Sequence, residues 1–210
     1  MARWLQLDAQ VPDPEALAAL RRHLDGGGVA ALPTDTLYGL AANALDAAAV
    51  ARVFALKGRE FHKPLPVVVR DRAQAEELAA GMPPHFADLA QAFWPGPLTL
   101  VVPAGERLPA ALTAGSGSVG LRQPRLPLLA ALLAATGYPL TATSANRSGG
   151  AECRTAAAVE AQLGHDPELL IVDGGASPLA QPSTLVDLTG PRPRLLRQGA
   201  VPAAALAPFL

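Results

Sequence analysis

The chain is poor in several things that restrict what it can be. It has one cysteine, Cys153, in 210 residues. That excludes an internal disulfide and a cysteine-built metal cluster, and it suits a reducing compartment. Aromatic residues make up only 4 %, so the core must be built from Ala, Leu and Val, and no interleaved aromatic platform exists on which nucleobases could stack. Neither sign of charge dominates. Net charge is -1 and the isoelectric point about 6.4, so no overall basic field draws in nucleic acid, and any anion site must be local. Four histidines (His23, His62, His85, His165) are scattered without metal-ligand spacing. No apolar run is long enough to span a bilayer and the Met-Ala-Arg-Trp start carries no apolar signal region. A cytoplasmic setting without membrane attachment is the expectation.

Lysine is the most telling shortage. Of the seventeen Lys and Arg residues, only Lys57 and Lys63 are lysines, and both lie in Leu56-Lys57-Gly58-Arg59-Glu60-Phe61-His62-Lys63-Pro64-Leu65. A general bias toward arginine would erase lysines that serve only as surface charge. Those that remain should need a compact ammonium on a flexible stem, which the planar fork of arginine does not supply. Phosphate binding by a point charge is the leading such need; a pair of solvated surface lysines is the alternative.

Hydrophobic residues are 50 % of the chain, enough for one large α/β domain spanning 1–210 with no repeat or long linker. Arg3 to Leu7 reads as a strand. Asp13 and Pro14 open a helix whose Leu17, Leu20 and Leu24 form one face, and Gly26-Gly27-Gly28 stops it. Val29 to Leu32 is a buried strand. Asp46 caps a helix through Leu56. Further strands are expected at Pro66 to Val69, Leu98 to Val102, Val119 to Arg122, Leu140 to Ala142, Leu169 to Val172, Ser183 to Leu188 and Arg194 to Arg197. Further helices are expected at Arg72 to Ala80 capped by Asp71, at Pro84 to Phe93, at Pro127 to Thr136, to Leu163 from a cap at Thr155, and as a short Ala/Pro-rich helix after Gly199. Strands and helices mix without strict alternation, which points to one twisted, mixed sheet flanked by helices, its polar loops gathered on one concave face.

Two polar stretches follow strands, where open α/β sheets place ligands. Thr34-Asp35-Thr36 sets two hydroxyls about a carboxylate; it is either a binding turn or a capped turn. Thr143-Ser144-Ala145-Asn146-Arg147-Ser148-Gly149-Gly150 offers hydroxyls, an amide and a guanidinium suited to phosphate oxygens and a base edge, or is an ordinary loop. Gly115-Ser116-Gly117-Ser118-Val119-Gly120 matches the dinucleotide pattern G-x-G-x-x-G, but that pattern needs a helix after it, and Pro124 prevents one. Arg122 ends the strand that follows; its fork can pair with a carboxylate or form a surface ion pair.

Taken together, Pro33 to Leu40, Lys57-Gly58-Arg59 with Lys63-Pro64-Leu65, Trp94-Pro95-Gly96-Pro97-Leu98-Thr99, Ser144 to Gly149, Ser183-Thr184-Leu185-Val186-Asp187 and Arg197-Gln198-Gly199 resemble, in order, the motifs of the YrdC-like domain family, whose best-known members are threonylcarbamoyl-AMP synthases. The resemblance covers roughly residues 12 to 200. It implies a twisted α/β sheet with a concave, positively charged groove, and an enzyme that joins L-threonine, bicarbonate and ATP into threonylcarbamoyl-adenylate with release of pyrophosphate, for tRNA threonylcarbamoyladenosine modification. By position, Lys57, Arg59, Lys63, Ser144, Asn146 and Arg197 would bind ATP, with Mg2+ accompanying it. Thr36, Arg122 and Ser183 would meet threonine. The resemblance implies no covalent nucleophile; Asp35 is the one candidate base for the amine, with a structural role in the turn as its alternative. A tRNA threonylcarbamoyl transferase complex would be a further partner, with weak or no direct tRNA contact. The chain departs from the family in having Val68 where some members carry a histidine, and Thr143 where proline is common. Two other readings keep the fold: a carbamoyl-adenylate-forming relative, and an RNA-binding or ribosome-maturation factor.

Overall fold

The computed structural model describes residues 1–58 and 63–210. Its strands form two mixed sheets, where one had been expected. The first has five strands in the order β1 (Arg3–Gln6), β9 (Leu169–Asp173), β2 (Val29–Leu32), β3 (Gly39–Ala41) and β8 (Thr143–Ser144). The second has six, in the order β11 (Arg194–Arg197), β10 (Thr184–Asp187), β5 (Leu98–Pro103), β6 (Ser118–Arg122), β4 (Val67–Val68) and β7 (Leu140–Thr141). The division turns on β3 and β8, which sequence patterning missed. They are Gly39-Leu40-Ala41 and Thr143-Ser144, too short to show an apolar alternation. They are the ends of the two polar stretches, paired antiparallel with Gly39 opposite Ser144 and Leu40 opposite Thr143.

Helix ends follow local chemistry. Asp13 accepts a hydrogen bond from Ala16 N and starts α1 (Pro14–Asp25), and Asp46 accepts from Ala48 N and Ala49 N to start α2 (Ala47–Lys57). Helix α2 stops at Gly58, whose φ of 58° is a left-handed conformation that glycine adopts without steric cost. Asp71 caps α3 (Arg72–Leu78), which ends two residues sooner than expected because Ala79 turns extended and bridges to Ala104. Helix α4 (Phe86–Phe93) begins after the 83–85 turn, two residues later than expected. A short α5 (Ala110–Thr113) was not foreseen; α6 (Pro127–Thr136), α7 (Ala156–Leu163) and the brief α8 (Ala203–Leu206) were.

Two apolar clusters hold these layers. The larger joins Phe54 and Val53 of α2, Phe86 and Leu89 of α4 and Val159 of α7 to Leu40 of one sheet and Leu100, Val119 and Leu121 of the other. The smaller packs α1 and α6, through Leu20, Leu24, Leu128 and Leu132, on the opposite face of the first sheet at Ala30, Leu32 and Val172. Val68 is buried in this second cluster and is part of the core. Among the described residues no helix is long and apolar enough to cross a membrane.

Candidate functional site

The two sheets enclose a cavity of about 320 Å³, large enough for a small ligand. Each wall comes from strand alternation. On β6, Ser118, Gly120 and Arg122 face the cavity while Val119 and Leu121 face the core. On β5, Thr99 and Val101 face in while Leu98, Leu100 and Val102 face the core. Ser183, Leu185 and Arg197 complete that side; the turn residues Thr34 and Thr36, between β2 and β3, belong to the other with Thr143, Ser144 and Glu152.

Arg122 is the electrostatic centre, with only 5 % of its surface exposed. Its Nη1 donates to Thr36 Oγ1 at 2.9 Å, Thr36 and Thr34 hydroxyls meet at 2.8 Å, and Thr34 Oγ1 donates to Leu37 O at 2.8 Å. Arginine only donates and each hydroxyl has one proton. The chain therefore runs one way, from guanidinium to Thr36 to Thr34 to the Leu37 carbonyl. Burial pulls the Arg122 guanidinium below its ordinary pKa; Asp35 opposes that pull and the like charge of Arg197 adds to it.

Asp35 is the counter-charge. Its Oδ1 lies 3.4 Å from Arg122 Nη2, with both side chains almost fully buried. Neither carboxylate oxygen has a hydrogen bond of good geometry among the described residues, so the contact is an ion pair rather than a bidentate clamp. Asp35 sits beneath Arg122 and does not line the cavity. That geometry supports the structural alternative for Asp35 over contact with a reacting amine.

The lysine stretch divides. Lys57 is 4 % exposed, and its ammonium donates to Ser144 O, to Asn146 O at 2.8 Å and to Asn146 Oδ1 at 3.1 Å. Ser148 N returns a bond to Lys57 O at 3.0 Å. The ammonium singled out by the arginine bias therefore sits at a meeting of protein oxygens. Asn146 is committed as well: its Oδ1 also accepts from Ser144 Oγ at 2.6 Å and its Nδ2 donates to Gly150 O at 2.6 Å. Lys57 and Asn146 therefore lie behind the cavity wall, and Ser144 lies on it. Lys63 is exposed beside Pro64, which lines the cavity. Arg59 falls outside the described residues.

The far end of the cavity is built on β10 and β11. Ser183 Oγ and Thr99 Oγ1 meet at 2.8 Å, and Arg197 Nη2 donates to Ser183 O at 2.9 Å. Buried Thr184 ties this end to the chain terminus: its hydroxyl donates to Val201 O at 2.7 Å and accepts from Gly199 N and Val201 N at 2.9 and 3.0 Å. Cys153 lies instead on the Lys57 side, buried beside Gln162, its thiol pushed up by burial and only partly offset by Lys57; it is a packing residue. Thr99, Ser118, Gly120 and Glu152 were not singled out as site residues from sequence. Ser118 and Gly120 could have been, since with Arg122 they alternate with Val119 and Leu121 and mark one polar face of a strand.

Among the described residues no cluster of three or more His, Cys, Asp or Glu could hold a metal ion. Glu152 is the one carboxylate among the described residues lining the cavity.

The Sua5/YciO/YrdC family model, described as "Telomere recombination", matches residues 22–199. The threonylcarbamoyl-AMP synthase of Pyrococcus abyssi is 41 % identical over 176 residues, covering 84 % of this chain and 52 % of that protein. A putative threonylcarbamoyl-AMP synthase of Mycobacterium tuberculosis H37Rv is 39 % identical over 187 residues, covering 89 % of this chain and 85 % of that one. The solved structure of P. abyssi Sua5 complexed with L-threonine superposes with a TM-score of 0.94 at 35 % identity, over 99 % of this chain and 60 % of that one. The chain thus spans about half the length of the Pyrococcus relative and most of the mycobacterial one.

Proposed function

The chain belongs to the Sua5/YciO/YrdC family, and on that premise we propose that it is a threonylcarbamoyl-AMP synthase, joining L-threonine, bicarbonate and ATP and releasing pyrophosphate. The observation that carries the reading is Arg122: a buried guanidinium aimed by Thr36, balanced by Asp35 and presented at the wall of a hydroxyl-lined cavity. A fixed cation in such surroundings suits the carboxylate of a small amino acid, and the threonine complex of the Pyrococcus relative supports that ligand class.

In this reading Arg122 takes the threonine carboxylate, and Ser183 with Thr99 stands beside the side chain. Ser144, Arg197 and Lys63 meet the nucleotide. Lys57 and Asn146 hold the loop that presents Ser144. Arg59 keeps its place among the phosphate ligands on the strength of the sequence motif. Bicarbonate supplies CO2 with loss of hydroxide; the amine of threonine bonds to that carbon to form a carbamate, and the proton it gives up joins the hydroxide as water. A carbamate oxygen then attacks the α-phosphorus of ATP, the bond from α-phosphorus to the bridging oxygen breaks, and pyrophosphate leaves with that electron pair. No protein nucleophile is needed. Catalysis is positioning and charge stabilisation, and holding two reactants in line supplies about 7–11 kcal/mol. Mg2+ carried on ATP would neutralise charge on the leaving pyrophosphate. A donor set of one wall carboxylate, Glu152, with nearby hydroxyls fits a cation that keeps most of its water and binds mainly through substrate phosphates. The adenylate would pass to a tRNA threonylcarbamoyl transferase complex, with little direct tRNA contact by this chain.

The test is pyrophosphate release from ATP and Mg2+ with bicarbonate, one amino acid at a time. Release requiring both threonine and bicarbonate is expected. Release with carbamoyl phosphate instead would make the chain a carbamoyl-adenylate former. Salt-dependent RNA binding without pyrophosphate release would make it an RNA-binding member of the fold.

A further inference from the structure

A second cavity, of about 310 Å³, takes no part in the reaction proposed above, yet it nearly equals the first in volume. Val29 and Leu169, paired at the starts of parallel strands β2 and β9, line it. It therefore lies at the opposite end of the first sheet from Thr34 and Thr36. Ala55 and Leu56 of α2 extend the same apolar lining, which carries no hydroxyl or amide side chain. The rim is charged in both signs. Arg52 comes from α2, and Asp166 and Glu168 come from the turn between α7 and β9. Arg52 donates Nη1 to Gly27 O at 2.9 Å, and Asp166 Oδ1 accepts from Glu168 N at 2.8 Å. Among the described residues the remaining nitrogens of Arg52, Asp166 Oδ2 and the Glu168 carboxylate make no hydrogen bond, and Arg52 pairs with neither acid.

That lining selects a ligand by charge. A lone carboxylate would meet two acids, and a diamine would bring one ammonium to Arg52. A zwitterion sets each of its charges against the opposite one, and an aliphatic side chain covers the apolar residues. Threonine would bring its hydroxyl to a wall without a polar side chain to receive it. The position of the cavity also gives it a route to the first. The 144–150 loop, which puts Ser144 on the first cavity's wall, hangs from two mounts. One is Lys57, the residue after Leu56, bonded to Ser144 and Asn146. The other is the end of α7, where Arg147 N donates to Gln162 Oε1 at 3.2 Å and Arg147 Nε donates to Gln162 O at 3.0 Å. The second cavity lies between the α2 mount and the turn that follows the α7 mount.

We propose that this cavity is a regulatory site for a free aliphatic α-amino acid, and that its occupant steadies the 144–150 loop and so tightens ATP at the first cavity. Only the ATP half rests on the synthase reading. The ligand carboxylate meets Arg52 and its ammonium meets Asp166 and Glu168, which joins the two mounts. A nucleotide arriving at Ser144 then has less motion left to remove.

Calorimetric titration of the full chain with L-leucine tests the site. A Kd of about 1 mM or tighter is expected, with putrescine and hexanoate, which each match one sign only, weaker by about tenfold or more. Arg52→Gln and Glu168→Gln each remove a rim charge, and Ala55→Trp fills the space; all three positions are exposed. Each variant should weaken leucine by about tenfold or more. No leucine binding by the wild-type chain would overturn the proposal. So would binding that survives Arg52→Gln and Ala55→Trp unchanged, since the leucine would then sit elsewhere, the first cavity included. Hydrogen exchange reads the coupling without nucleotide. The amides of Arg147 and Ser148, bonded to Gln162 Oε1 and Lys57 O, should exchange about threefold more slowly or less with leucine bound, and unchanged exchange would overturn the regulatory role. Saturating leucine should lower the Kd for ATP about fivefold or more, and ATP should tighten leucine by the same factor. Arg147→Ala cuts one mount and should keep leucine binding while losing most of that factor. An ATP affinity indifferent to leucine, in a chain that binds both, would overturn the proposal. Slowed exchange in a chain that binds no ATP would uphold this site and count against the synthase reading alone.

Discussion

Replacing Lys57 by methionine separates two uses of an ammonium. Methionine keeps most of the length and apolar stem and removes the charge. Hydrogen bonds to a charged group contribute about 1.5–3 kcal/mol each, and Lys57 makes such bonds to Ser144 O, Asn146 O and Asn146 Oδ1. Two of these oxygens keep another donor. Ser144 O still accepts from Asn146 N at 3.0 Å, and Asn146 Oδ1 still accepts from Ser144 Oγ at 2.6 Å. The main orphan is Asn146 O, and the variant is also spared the cost of burying an ammonium. These offsets leave a net loss of about 2–4 kcal/mol. At about 2–4 °C per kcal/mol for a domain of this size, Tm should fall by roughly 5–15 °C. Lys57→Arg should not restore it, because a planar guanidinium does not fit a closed site built around a tetrahedral donor. The assay is thermal unfolding of both variants without ligand, beside ATP titration by calorimetry. An ATP affinity that drops tenfold while the ligand-free Tm stays within 1 °C of wild type would refute the reasoning and make Lys57 a direct phosphate ligand.

Other perturbations test the rest of the site. Asp35→Asn leaves the buried Arg122 without its counter-charge and should destabilise the fold by about 3–5 kcal/mol, read as a reduced urea midpoint; a shift below 1 kcal/mol would show that the 3.4 Å pair carries little. Thr184→Val keeps the shape and strands the amides of Gly199 and Val201 and the carbonyl of Val201. The expected loss is about 2–4 kcal/mol, with hydrogen exchange rising first at 199–201, and equal protection there in the variant would be the contrary result. His23 is held below its ordinary pKa of 6.5, first by burial and also by the nearby charge of Arg3, while the bond to Val29 O resists. The unfolded chain therefore binds more protons than the folded one just below pH 6.5, and stability should fall as pH drops from about 6.5 through the folded value. In His23→Gln the Tm–pH slope in that window should flatten, and an unchanged slope would assign it elsewhere.

How far the sequence reached can be judged residue by residue. The arginine bias singled out Lys57, with phosphate binding as the leading reason; nothing local in the chain says that its ammonium meets the oxygens of Ser144 and Asn146, in a loop distant in sequence. Helix starts at Asp13, Asp46, Asp71 and Thr155 were legible because a cap is local. Division into two sheets was not. It hangs on β3 and β8, whose pairing is long-range and whose composition carries no period. Arg122 taken alone read first as a surface ion pair; the fold buries it. Gly120 was noticed as part of a motif and discarded with it, since a pattern match names residues without saying which of them end on a cavity wall.

The pairing of β3 with β8 also bears on the order in which the molecule assembles. Helices α1 and α2 and the β5–β6 pair can form from nearby chain, but the joint between the 39–41 and 143–144 stretches closes a long loop, and the entropy of that closure must be met before any contact rewards it. The cleft therefore depends on that long-range closure. A nascent or partly unfolded chain can own most of its helices and still have nothing in which to hold a substrate.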